Sequence, residues 1–460
     1  MTIWQDVQIL IIGAARQGVA AARYLAKKGA RVTINDAKPE EEFSELKQQL
    51  TQLSIQLEFG GHPFSLLEGK DMLIVSGGVP LEIPLIQEAI SKGIPVSNDS
   101  QLFMDDVPAP VIGITGSAGK TTTTIFVGEI IKAALPAGQK VWVGGNIGTP
   151  LIEQLDDIQA SDWVVLELSS FQLELMTRSP HISVVLNITP NHLDRHKNIE
   201  TYTQAKANIL RYQSLTDTAV LNHEDSGSMN LEPLVKGQIF TFGIEKTNRN
   251  FPCVYCAEDK ITISKKEGDT SVMRRDEIHL RGEHNLLNAL ASCAAASAAG
   301  FSSQAMRSGI MNVKGIPHRL EFVGEWGQIQ WFNDSIATTP ERVMASILSF
   351  EQPLVLLLGG RDKDLPWGDL VDLIHHRVKH VILFGESVEL ISNALGNADE
   401  YELPLSITKC PSLFIAVQTA ARIAEPGDVV LLAPGGTSFD EFDDFEDRGH
   451  KFCQWIQELR

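Results

Sequence analysis

The run Gly113-Ile-Thr-Gly116-Ser117-Ala118-Gly119-Lys120-Thr121-Thr122 has the residue types and order to hold a polyphosphate. Glycines let the backbone wrap phosphate with its N–H groups, Lys120 adds positive charge, and the Thr121 hydroxyl is a ligand for Mg²⁺. The spacing departs from the simple phosphate loop, because the first glycine comes one residue early and Gly116 lies inside. A functionless Gly-rich turn would leave the Gly-Lys-Thr-Thr order unexplained. Downstream, Val164-Val165-Leu166-Glu167 is an apolar run ending in a carboxylate, where a Mg²⁺-directed acid belongs in a nucleotide-binding sheet. Asn187-Ile-Thr-Pro-Asn-His192-Leu-Asp194-Arg-His196 follows another apolar run. His192 is therefore expected at a strand's C-terminal side, facing the crevice of Lys120 and Glu167. A weaker fingerprint is Gly13-x-Ala15-x-x-Gly18 with Asp36 at the next strand end. Ala15 replaces the glycine that lets backbone approach a pyrophosphate, yet an NAD-dependent oxidoreductase stays an alternative.

Strands and helices must alternate to position these groups. Apolar runs at 7–12, 31–34 and 72–76, with an Ala-rich helical stretch ending near Gly29, form a β-α-β pattern. An acidic, Pro-containing stretch at 105–110 suits a linker. Strands at 111, 163–166 and 184–188 are spaced for a parallel sheet, 231–281 is a β-rich insertion, and helix returns at 285–299. After Gly315-Ile-Pro-His-Arg319, strands at 329–332, 354–358, 381–384 and 429–432 restart the alternation. The expected fold is α/β with three domains: Rossmann-like over 1–108, a P-loop ATPase-type parallel sheet over 109–315, and a second Rossmann-like domain over 316–460.

The 460 residues carry 39 Lys+Arg against 58 Asp+Glu, a formal net charge of -19. That balance argues against a nucleic-acid partner, which needs a broad basic surface, while a few local cations and amides still suffice for a small anion. Five sparse cysteines suit a reducing compartment, and the Cys253 and Cys256 pair has no second half to complete a zinc site, so it reads as a surface hairpin or packing pair. The apolar runs fall short of membrane-spanning length, so a cytoplasmic protein that does not engage a membrane is expected, with a monomer as the favoured state.

Six ordered motifs resemble the Mur ligases over nearly the whole chain: the phosphate loop, Leu-Glu167-Leu-Ser-Ser-Phe-Gln-Leu-Glu, Asn-His192-Leu-Asp-Arg-His, His284-Asn285-x-x-Asn288-Ala, Pro317-His318-Arg319 and Asn333-Asp334-Ser335. The Glu167 motif is similar to that of the members adding D-glutamate. The resemblance implies an ATP- and Mg²⁺-dependent ligase that phosphorylates the carboxylate of UDP-N-acetylmuramoyl-L-alanine and passes the acyl group to glutamate, with closure of the C-terminal domain to exclude water. By position, Lys120 and Thr121 would hold phosphate and Mg²⁺, and Glu167 and His192 the metals. Lys206 would be carbamylated, turning a repelling ammonium into an anionic metal ligand. Asn146, Asn285, Asn288, His318, Arg319 and Asp334 would complete the nucleotide contacts, with Arg319 neutralising the transferring phosphoryl group. Arg16, Gln17, Asp36, Ser76, Gly77 and Gly78 would meet the UDP-sugar, and Thr338, Lys363, Ser438 and Phe445 the amino acid. The pattern departs at Ile336, where the D-glutamate members commonly have lysine, and at Gly435-Gly436-Thr437. L-glutamate is therefore the alternative substrate. A non-catalytic nucleotide switch is a further alternative, disfavoured by the full set of Glu167, His192, Lys206 and Arg319.

Overall fold

The computed structural model describes residues 4–43, 46, 47, 50, 53–146, 148, 150–190, 193–280, 282–363, 365–396 and 405–459. The chain divides into two compact units, Met1–Val313 and Lys314–Arg460. The first unit contains two sheets and the second contains one.

Strands β1 (Gln8–Ile12), β2 (Arg31–Asp36), β3 (Gln56–Phe59), β4 (Met72–Val75) and β5 (Val96–Ser97) form the first sheet in the order β3-β2-β1-β4-β5, parallel throughout. The interior of β1 is fully buried, because helices cover both faces, so its sequence reads as a continuous apolar run. Strand order reverses between β1 and β4. The loops leaving those two strands therefore border one crevice, the usual ligand position in an open parallel sheet.

The second sheet adds β6 (Val111–Thr115), β7 (Val141–Gly145), β8 (Trp163–Glu167), β9 (Ile182–Val185), β10 (Thr218–Asn222), β11 (Gln238–Phe242), β12 (Cys253–Ala257), β13 (Lys260–Lys265) and β14 (Gly268–Arg274). Its order is β14-β13-β12-β11-β10-β9-β6-β8-β7, parallel from β7 to β12 and antiparallel over the last three. The expected β-rich insertion is thus a continuation of the main sheet. Cys253 is buried in β12 and Cys256 half-buried beside it, and both are free thiols in a hairpin. The expected strand at 184–188 ends at Val185, because the backbone beyond it turns to the phosphate loop: Asn187 O accepts from Ser117 N at 2.9 Å.

Helix Lys120–Ala134 carries the end of the phosphate loop, and helix Ser303–Asn312 crosses it where Gly309 meets Ile130. A Cβ on Gly309 would collide with the Ile130 backbone, so glycine sets how closely these helices approach. In the second unit, β15 (Glu321–Trp326), β16 (Ile329–Asn333), β17 (Leu354–Gly359), β18 (Val378–Phe384), β19 (Ser406–Lys409) and β20 (Val429–Gly435) form a sheet ordered β15-β16-β20-β17-β18-β19. Only the β15 and β16 pair is antiparallel, and apolar layers cover both faces. Among the described residues no helix is long and apolar enough to cross a membrane.

Replacing Gly309 by Ala is expected to destabilise the first unit by about 1–3 kcal/mol, since the added methyl must push two packed backbones apart. Urea unfolding checks this, and an unchanged midpoint would contradict the close approach.

Candidate active site

Residues 116–119 turn from β6 into the helix Lys120–Ala134, whose first N–H groups have no intrahelical acceptor and so face the loop. Gly119 has φ 85°, and a Cβ there would strike Asn288 Oδ1, so this position requires glycine. Asn187 clasps the loop, its Oδ1 accepting from Ala118 N at 2.9 Å and its Nδ2 donating to Ala118 O at 3.1 Å. Ser117 Oγ donates to Thr189 O at 2.9 Å and lies 3.1 Å from Tyr202 Oη. The Lys120 ammonium lies over the loop, donating to Gly116 O at 2.9 Å and Ser117 O at 3.2 Å. Thr122 is buried in the helix's first turn.

Glu167, buried at the end of β8, joins two of the expected residues. Its Oε2 accepts from Thr121 Oγ1 at 2.8 Å and its Oε1 from Asn146 Nδ2 at 3.0 Å. Hydroxyl, carboxylate and amide oxygens beside a phosphate loop are the hard donors that Mg²⁺ takes, usually with one or two carboxylates and the phosphates of its nucleotide. Among the described residues, no group of three or more His, Cys, Asp or Glu side chains is placed to hold a metal ion by itself. At the start of helix Glu283–Ala298, Asn288 Nδ2 donates to Asn285 Oδ1 at 3.2 Å, and Thr123 Oγ1 donates to Asn288 Oδ1 at 3.3 Å. His192 lies outside the described residues.

Lys206 has 1% of its surface exposed. Its Nζ donates to Thr115 Oγ1 at 3.2 Å and Gly116 O at 3.0 Å, and sits 4.7 Å from the Tyr202 ring centroid. Loss of water and then the neighbouring Lys120 charge push its amine well below the ordinary lysine range, with Glu167 opposing only in part. Burial of this kind disfavours the ammonium form relative to the neutral amine.

In the first sheet, Asp36 braces the loop after β1: its Oδ2 accepts from Ala14 N at 2.8 Å and its Oδ1 from Lys38 N at 3.1 Å. Gly13, at φ 100°, lies against Ser76, and a Cβ on Gly77 would come 2.8 Å from Gln17 Oε1, so Gln17, Ser76 and Gly77 converge. Arg16 is exposed at the same crevice's rim. Arg195, given no role from the sequence, donates to Gly78 O at 2.9 Å and Val79 O at 3.2 Å over the Phe171 ring. Its neighbour His196 is buried, with Nε2 2.9 Å from Ser170 Oγ and its ring stacked on Phe171. Asn187, Tyr202 and Arg195 are the residues the sequence reading missed. Tyr202 had a usable signal, since it precedes Lys206 by four residues on one helix and therefore shares its face.

The second unit has its own cluster. Lys363 Nζ donates to Thr338 Oγ1 at 3.2 Å. Ser438 is buried, and Phe445 O accepts from Ser335 Oγ at 2.8 Å. The buried Arg448 donates to Ser335 Oγ at 3.0 Å, Ser335 O at 2.9 Å and Gly436 O at 3.2 Å, and burial lowers it to about 10. His318, at φ 62°, packs edge-on to Phe445 and His450, and its imidazole is pushed down by burial. Asp334, raised by burial, accepts from Leu320 N at 3.1 Å and from Ser346 Oγ, while Arg319 is exposed.

A phosphate loop, a carboxylate at the adjacent strand end and a buried amine beneath them define a nucleotide-using α/β enzyme site. Comparison with known proteins narrows this class. The Mur ligase MurD-like N-terminal domain matches residues 7–98, the Mur ligase middle domain 114–296, and the Mur ligase glutamate ligase domain 318–436. The UDP-N-acetylmuramoylalanine–D-glutamate ligase of Symbiobacterium thermophilum is 38% identical over 449 residues, covering 98% of this chain and 97% of the relative. The same-named protein of Pelotomaculum thermopropionicum is 38% identical over 455 residues, covering 98% of each. Among solved structures, the UDP-N-acetylmuramate-alanine ligase of Thermotoga maritima is similar in fold, with a TM-score of 0.57 at 19% identity over 99% of this chain and 100% of that one. The chain belongs to the Mur ligase family.

Because the unfolded chain carries an ordinary lysine near 10.5 and the folded site disfavours its proton, Lys206 costs stability that grows as pH falls below that value. Lys206→Met is expected to raise the melting temperature in bicarbonate-free buffer, more at about pH 7 than at about pH 9.5, while removing activity. Thermal unfolding at both pH values checks this; a variant less stable than the parent at each would refute it.

Proposed function

We propose that this chain joins D-glutamate to UDP-N-acetylmuramoyl-L-alanine, using ATP and Mg²⁺, in the cytoplasm. The reading is carried by the placement of Lys120, Thr121, Glu167 and Lys206 around one phosphate loop in a chain whose relatives over nearly its full length are D-glutamate ligases. A carboxylate is a poor electrophile. Transfer of the γ-phosphoryl group to its oxygen makes an acyl phosphate, and the amine of glutamate then attacks the acyl carbon, forming the amide and releasing phosphate.

The chain's own groups divide this work. The loop amides and Lys120 hold the phosphates in line with the acceptor carboxylate, lowering the barrier mainly by positioning and charge. Thr121 Oγ1, Glu167 and Asn146 would hold Mg²⁺, which when bound neutralises charge on the phosphoryl oxygens. Gln17, Asp36, Ser76, Gly77 and Gly78 bind the UDP-sugar end, with Arg16 at its edge. Within the second unit, Arg319 offers a charge for the phosphoryl group, and Lys363, Thr338, Ser438 and Phe445 receive the amino acid.

Lys206 becomes a metal ligand by carbamylation. Its neutral Nζ forms a bond to the carbon of CO₂, one C=O electron pair moves to oxygen, and the proton on nitrogen leaves to solvent. The burial of the amine beside Lys120 supports this, since both disfavour the ammonium and so favour the form with a free lone pair. ¹³C NMR with ¹³C-bicarbonate is expected to show a carbamate carbon that Lys206→Arg abolishes; the same signal in both proteins would refute the assignment.

ADP release with UDP-N-acetylmuramoyl-L-alanine and a panel of D- and L-amino acids tests the reaction. D-glutamate turnover with L-glutamate silent is expected, and Lys120→Ala is expected to lose at least about 100-fold in rate. Turnover of L-glutamate alone would reverse the stereochemical reading.

A further inference from the structure

The second unit gathers positive charge around one short turn. Lys363 reaches Thr338 Oγ1 at 3.2 Å, and Arg342 Nη1 donates to Ile336 O at 3.1 Å. Thr338 N donates to that same carbonyl at 2.9 Å, so both cations are anchored on a three-residue turn. The guanidinium of Arg448 lies close by, under Ser335 and Gly436. These groups repel one another: the Lys363 amine is lowered by partial burial and then by the charges of Arg342 and Arg448, and Arg342 by partial burial and then by Arg319. The acid that faces Arg342 is Asp334, and its two oxygens are already taken by Leu320 N and Ser346 Oγ.

Arg448 is a brace, with its donors used on backbone and hydroxyl oxygens in the interior. Arg342 and Lys363 differ, because both reach the surface although partly covered, and each side chain gives a single hydrogen bond among the described residues. Arg has five N–H donors and Lys three, so most of their capacity points elsewhere. Like charges held together at an open turn are unfavourable by themselves and become favourable when an anion joins them. A guanidinium suits a carboxylate in particular, since its fork matches the two oxygens.

We infer that Arg342 is a substrate-binding residue that holds one carboxylate of the incoming amino acid, while Lys363, which reaches the same turn through Thr338, holds the other. The inference rests on the proposed ligation of an acidic amino acid and adds a residue that motif comparison does not assign. It also accounts for Ile336: a cation enters this turn from the following helix, Pro340–Ile347, and contacts the Ile336 carbonyl instead of arising from residue 336 itself.

Steady-state kinetics of the full chain test it. Arg342→Met is expected to raise KM for glutamate at least about 30-fold, with KM for ATP and for the UDP-sugar substrate within about twofold of the parent. Arg342→Lys keeps the charge without the fork, and its KM for glutamate is expected to fall between the two. An unchanged KM for glutamate in Arg342→Met, or a fall in kcat alone, would overturn the inference while leaving the ligase reading intact. A parent enzyme silent with glutamate would instead overturn the proposed function and, with it, this assignment.

Discussion

The amine of Lys206, withheld from water at the start of the phosphate loop, is the constraint around which the central site is arranged. A buried ammonium costs several kcal/mol unless paired, and here its neighbours are a hydroxyl, a carbonyl, an aromatic face and a second lysine, with the Glu167 carboxylate offsetting them only in part. Such a placement favours the neutral amine, and the site can tolerate it only because everything around it is fixed. Tyr202 covers it and contacts Ser117, Ser117 is tied to Thr189, and Asn187 fastens Ala118. The reactive character of one nitrogen thus depends on hydrogen bonds that shape the loop above it.

Much of this was legible in the sequence because the relevant signals are local. The phosphate loop, the apolar strand ending in Glu167 and the Gly-Ala run of the first β-α-β unit each combine a periodicity with a special residue, and the structure puts Thr121, Glu167 and Asn146 within hydrogen-bonding reach. The contacts that escaped the reading join elements far apart in the chain. Arg195 meets carbonyls 117 and 116 residues earlier, a pairing that no spacing rule encodes. The end of β9 was also missed, since the apolar run continues past Val185 while Asn187 turns to the loop.

The amino-acid end shows the same division. The loss of a lysine at position 336 is plain in the sequence and reads there as a missing charge. Arg342 lies six residues on, across a helix start with Pro340 in its first turn, and which backbone oxygen such a long side chain reaches is decided by folding. Asp334 is a second case. The resemblance gives it to the nucleotide, and the structure adds contacts that the motif does not encode, from Leu320 N and Ser346 Oγ.

The antiparallel end of the nine-stranded sheet has a practical side. Between β13 and β14 the chain turns at Gly268, which has φ 126° and open space around it, and the first residues of β14 are exposed. That turn lies five to six strand spacings from the strand bearing the phosphate loop, roughly 25 Å across the sheet. A peptide tag or fluorophore inserted there would displace no packed side chain and would leave the electrostatics of the nucleotide site undisturbed, giving a handle for surface immobilisation or single-molecule observation of a working enzyme.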